Sequence, residues 1–173
     1  MSGKNLLILL ASVVALIMVL TTPLTDIARF GGAYLSAPSA GMTLDVQEIN
    51  DFLRVWSDFE QKGLNQSMKQ VSLNQDSQIP PHIVRWLYAK GWNAERFFAV
   101  EQHLRELVSI ATLQNNLEDN KKLQAKGVAN VRQIIDEQER QFAALKYNSQ
   151  ELALVRANFY QISNILEGKA ILK

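Results

Sequence analysis

The chain has 173 residues, 47% of them apolar and 20% charged, with 18 Lys plus Arg against 17 Asp plus Glu and no cysteine. A formal charge of +1 argues against nucleic-acid binding, which needs an excess of cations to displace phosphate counterions. The lack of cysteine excludes a disulfide framework, a thiolate metal centre and a cysteine nucleophile, and the apolar share excludes global disorder.

The first element is the most specific. Lys4 and the amino terminus precede an apolar run, Leu6 to Leu20, which Thr21 to Leu24 prolong before Asp26 and Arg29 end it. A basic head followed by such a run has the layout of a secretory signal or a signal anchor. The 19 residues of 6–24 make a helix of about 28 Å, the thickness of a bilayer's hydrocarbon core. No A-x-A pattern follows closely, and Gly31-Gly32-Ala33 lies far downstream, so residues 1–28 read as an uncleaved anchor in contact with the lipid bilayer. A cleaved signal peptide is the alternative. The positive-inside tendency then places all that follows outside the cytoplasm. In a bacterium this is an inner-membrane protein with its C-terminal domain in the periplasm, or a periplasmic or secreted protein if cleavage occurs.

Residues 29–43 are rich in Gly, Ala, Ser and Pro without periodicity and read as a flexible linker, with Phe30 and Tyr34 suited to the bilayer interface. Residues 44–173 read as an exported domain. From Gly41 onward the count is 16 basic and 16 acidic residues, so net charge draws it neither to anionic lipid nor to nucleic acid.

This domain is expected to be all-α, a small antiparallel helical bundle. Asp45 with Glu48 forms a capping-box pattern ahead of Ile49, Phe52, Leu53, Trp56 and Phe59, and Gly63 supplies a stop. Leu64, Met68 and Val71 allow a short helix. Pro80-Pro81 opens another carrying Ile83, Val84, Trp86 and Leu87, ended by Gly91. Asn93 is placed to cap the longest helix, whose inward stripe is Phe97, Val100, Leu104, Leu107, Val108, Ala111 and Leu117, with polar residues 115–120 weakening its end before Gly127. A further helix carries Val128, Val131, Ile134, Ile135, Phe142 and Leu145. The last starts at the capping-box pattern Asn148 to Glu151 and runs through Leu152, Val155, Phe159, Ile162 and Leu166 to Gly168.

Chemistry-bearing patterns are sparse. There is no Ser-His-Asp order, phosphate loop or H-E-x-x-H. His103 and Glu106 share a helical face, but the order is the reverse of the Glu-x-x-His of di-iron bundles, occurs once, and has Arg105 beside it. Both His103 and His82 are therefore read as surface or locally bonded residues. Asp136, Glu137 and Glu139 alternate with Arg132 and Arg140 as a solvated, ion-paired face does. No catalytic residue, metal site or cofactor is expected.

The densest feature is aromatic. Trp86, Tyr88, Trp92, Phe97 and Phe98 fall within thirteen residues, interleaved with Arg85, Lys90 and Arg96. As a binding surface for a partner or apolar ligand they nominate Trp86, Tyr88, Trp92, Phe98 and Arg96. The alternative is the core of a helical corner, which leaves Tyr88 and Phe98 as the exposed rings. Together these features describe a membrane-anchored interaction or adaptor subunit of the cell envelope that binds another envelope protein. The alternative is a soluble, secreted binding or chaperone-like protein. Metal-dependent or hydrolytic chemistry at His103 and Glu106 stands a distant third.

Overall fold

A computed structural model describes residues 43–66, 68, 79–128 and 131–172. The chain divides between Ser36 and Ala37 into two units, and every described residue lies in the second. The segment 6–24, expected as an anchor, and the expected linker as far as residue 42 lie outside the described residues. Among those described, no helix is long and apolar enough to cross a membrane and there is no strand.

Six helices follow in order: α1 Val46–Gln61, α2 Pro81–Ala89, α3 Ala94–Ala125, α4 Arg132–Ala144, α5 Ser149–Ala157 and α6 Phe159–Leu166. A further helical turn covers 64–66. Helix starts obey local chemistry, since a first turn leaves amide protons that only a side chain or water can accept. Asp45 Oδ1 accepts from Glu48 N at 2.8 Å, Asn93 Oδ1 from Arg96 N at 3.1 Å, and Asn148 Oδ1 from Gln150 N at 2.9 Å. Pro81 opens α2, where a missing N–H costs nothing.

Both capping-box patterns are used only by half. The reciprocal glutamates are diverted into tertiary contacts: Glu48 to Arg96 and Glu151 to Leu44 and His103. A carboxylate gains more from a buried or charged donor than from one solvated amide, so tertiary structure overrides the local motif.

Helix ends follow the glycines. At the end of α2, Gly91 takes φ +83°, its N–H reaches Tyr88 O at 3.0 Å, and Trp92 N–H reaches Leu87 O at 3.0 Å. These two bonds define a Schellman turn, which needs a left-handed residue at its centre. The turn folds the chain back and returns Trp92 to the core.

The longest helix ends where Gly127 was expected to stop it: α3 continues through the polar residues 115–120 to Ala125, 32 residues in all or about 48 Å, with Leu117 and Asn120 buried there against α4. Two expectations need correction. The last stripe is not one helix but two, broken at Asn158 (φ −118°, ψ 23°). Asn158 Nδ2 donates to Leu154 O at 3.1 Å, a back-bond of the kind that bends helices. Finally, the bundle is not uniformly antiparallel. Arg105 on α3 reaches Leu166 O at the end of α6, while Glu118 and Asp119 lie by its start, so those two are antiparallel. Val46 and Ile49 at the start of α1 lie beside Asn158 and Ile162, and Ser57 Oγ near its end accepts from Leu172 N at 3.0 Å. Helices α1 and α6 therefore run in the same direction.

The core is deepest where α1, α2 and the first half of α3 meet. Phe52, Phe59, Ile83, Leu87, Phe97, Val100 and Leu104 are fully buried there. Ile162, Ile165 and Leu166 close the core from α6.

Candidate functional site

Seven rings of this corner, Phe52, Trp56, Phe59, Trp86, Trp92, Phe97 and Phe98, form one connected cluster. Phe97 packs within 6 Å, centre to centre, of Phe52, Trp56, Phe59, Trp92 and Phe98. Phe98 is only 9% exposed and meets Phe59 edge-on at 6.0 Å, correcting the expectation that it faces solvent. Trp92 is buried as well, and its Nε1 donates to Asp51 Oδ2 at 3.0 Å. Trp86 is half-buried against Phe59, with Lys90 Nζ 5.5 Å from its ring centre. Of the rings proposed for binding, Tyr88 alone stands clear of the surface, at 82% exposure.

Two of the three cations of this corner are paired with α1, while Arg85 is exposed. Arg96 makes a two-pronged contact with Glu48, Nε to Oε1 and Nη2 to Oε2, both at 2.8 Å. Lys90 Nζ lies 2.6 Å from Asp58 Oδ2. Glu48, Asp51 and Asp58 thus form one acidic side of α1 that answers Arg96, the Trp92 indole and Lys90 in turn. This stripe was missed in the sequence reading, although the spacing 48, 51, 58 on a helix already marks one face. Val84 was missed too. It is exposed, one turn before Tyr88, while Ile83 and Leu87 take the buried face of α2.

His103 also departs from expectation. Its side chain is 12% exposed and its Nε2 lies 3.0 Å from Oε2 of Glu151, itself 3% exposed. The other oxygen of Glu151 accepts from the backbone N–H of Leu44 at 2.5 Å. His103 Nδ1 is buried without a hydrogen bond, 3.9 Å from Glu106 Oε2, an ion-pair rather than a hydrogen-bond distance. The imidazole is held above its ordinary pKa of 6.5, first by Glu106 and then by Glu151, against burial, which lowers it. Its two carboxylates flank opposite nitrogens and do not converge on one point. Among the described residues no group of three His, Asp or Glu side chains can hold a metal ion. His82 is exposed, as expected.

A shallow cleft of about 560 Å³ opens where α5 breaks into α6, lined by Glu118, Asp119, Lys122, Arg156 and Tyr160 among others. Its charges pair with one another, Arg156 with Glu118 at 2.9 Å and Lys122 with Asp119 at 2.8 Å. Asp119 raises the Lys122 pKa. Such mutual pairing leaves the cleft no net field with which to select an ion.

Comparison with known proteins adds no relative: no protein-family model matches the chain, nor does any curated protein or solved structure.

Proposed function

We propose that this chain is a membrane-anchored, extracytoplasmic helical adaptor, whose domain binds another envelope protein and carries out no catalysis of its own. The supporting observation is a contrast within the domain. Arg96 and Lys90 of the aromatic corner and the cations of the cleft are taken up in ion pairs, whereas Val84 and Tyr88 stand uncovered on the outer face of α2, beside the exposed Arg85. Exposed tyrosine beside an aliphatic residue supplies contact area with little rotamer entropy to lose. The apolar run 6–24 with its basic head supports the anchor, and the neutral charge of the remainder suits a protein partner better than a polyanion. Of the residues nominated from the sequence, Tyr88 lies on this surface, whereas Trp86, two residues before it, takes the other flank of α2 against Phe59. Trp92 and Phe98 are buried in the core and Arg96 is paired with Glu48.

The test is extraction of tagged full-length protein in mild detergent, with intact mass measured on membrane and soluble fractions. Full-length mass in the membrane fraction, with a stoichiometric partner lost in the Val84→Ser/Tyr88→Ser variant, is the expected result. A lone monomer, or a partner retained by the variant, overturns the interaction reading. A shortened mass in the soluble fraction replaces the anchored protein with a secreted one.

A further inference from the structure

Among the described residues, Glu151 is the only ionisable side chain that lies in the buried core. It occupies the first turn of α5, yet it serves two other parts of the fold. Oε1 accepts from Leu44 N, 107 residues away in sequence. Oε2 faces His103 Nε2 on α3. Leu44 is the first buried residue among those described, directly after the exposed Thr43 and just ahead of α1, so Glu151 pins the segment that leads into α1. A buried carboxylate is tolerated when its charge is compensated and its lone pairs are used, and the compensating group here is His103.

The state of His103 follows from its surroundings. On α3 it has Glu106 one turn away, and on α5 it has Glu151. The neighbouring cation, Arg105, is turned to Glu101, to Leu166 O at 3.0 Å and over the Trp56 ring at 5.8 Å, and it interacts with Glu167 beyond α6. A neutral imidazole carries one proton. With that proton donated to Glu151, Nδ1 presents a lone pair toward a second carboxylate, whereas the imidazolium directs an N–H at each anion.

We propose that His103, Glu106 and Glu151 form a proton-operated latch on Leu44, the residue that leads into α1. Doubly protonated His103 holds Glu151, Glu151 holds Leu44, and loss of the proton loosens both. The direction is fixed by the sign of the His103 shift, which is upward. The contribution is complete below about 6.5 and is lost as pH rises through the raised value. Alkaline medium therefore opens the latch, and mild acid keeps it closed. The latch does not depend on membrane anchoring, and its test does not use it.

The experiment is NMR on labelled full-length chain in detergent from about pH 5.5 to about pH 9, a range that brackets histidine titration. It follows the His103 ring and the exchange protection of the Leu44 amide, corrected for intrinsic exchange at each pH. Leu44 protection should fall about tenfold across the His103 titration, the scale of losing a charge-assisted hydrogen bond, while the Phe97 amide stays protected. His103→Gln keeps a neutral donor toward Glu151 but cannot charge, so its Leu44 protection should be flat with pH. A flat wild-type profile, an unchanged profile in His103→Gln, or a His103 midpoint below 6.5 overturns the latch. If that variant does not fold, the wild-type midpoints decide: coincident midpoints for His103 and Leu44 support the latch, and separate ones refute it.

Discussion

The two halves of α3 are buried by different means. Its first half lies among rings, with Phe97 and Phe98 packed against Phe52, Trp56, Phe59 and Trp92. Its second half meets α4 through a small aliphatic patch, Leu117, Val131 and Ile135. Beside that patch Asn120 Nδ2 donates to Gln138 Oε1 at 3.0 Å, both side chains buried. The first interface gains stability in proportion to apolar area. The second spends part of its area on an amide pair whose net contribution is small but whose loss is expensive. One continuous helix therefore joins a strongly held end to a weakly held one. Local opening is expected to begin at α4 and the distal turns of α3.

The largest effect should come from the aromatic end. Phe97→Ala removes a fully buried ring with five aromatic neighbours and should cost about 3–5 kcal/mol, read as a lowered denaturation midpoint. A cost near that of a surface substitution would mean that the rings repack freely, and the contrast between the halves would collapse. At the distal end, Asn120→Ala strands the Gln138 carbonyl and should cost about 1–3 kcal/mol. The double variant Asn120→Leu/Gln138→Leu should return close to wild-type stability or above it, since replacing both partners removes the desolvation penalty. A double variant as unstable as the single one would show that the amide pair specifies the α3–α4 packing. The smallest effect is expected at Tyr88→Ser, within about 0.5 kcal/mol of wild type in a thermal melt. That silence is what distinguishes a surface available for binding from a core position.

How much was legible beforehand depended on the range of the forces involved. Helical class, the caps at Asp45, Asn93 and Asn148, and the stops at Gly63, Gly91, Gly127 and Gly168 all rest on interactions spanning a few residues. The inward stripes at Phe52, Phe59, Leu104 and Leu107 were readable from periodicity for the same reason. The break at Asn158 was not. An asparagine inside an apolar stripe is compatible with either a straight or a bent helix, and the back-bond to Leu154 decides only once both faces are packed.

The candidate sites were less legible still. His103 looked like a surface histidine because nothing near it in sequence suggests burial, and Glu151 looked like half of a capping box. Their contact joins residues 48 apart, and the Leu44 contact residues 107 apart. Phe98 was expected outside because Phe97 already filled the stripe. It is covered because α1 brings Phe59 against it.

By itself, then, the sequence determined an apolar, anchor-like start, a neutral helical remainder and most of the helix boundaries. These follow from hydrophobic runs, 3.6-residue periodicity and capping chemistry, all of which act over one or two turns. Tertiary structure decided which polar groups meet. It turned the reciprocal arms of both capping boxes away from their own caps, to Arg96 and His103, matched the acidic side of α1 to the aromatic corner, and left Val84 and Tyr88 uncovered. Charge pairing and burial depend on distances across the fold, and no local pattern in the chain encodes those distances.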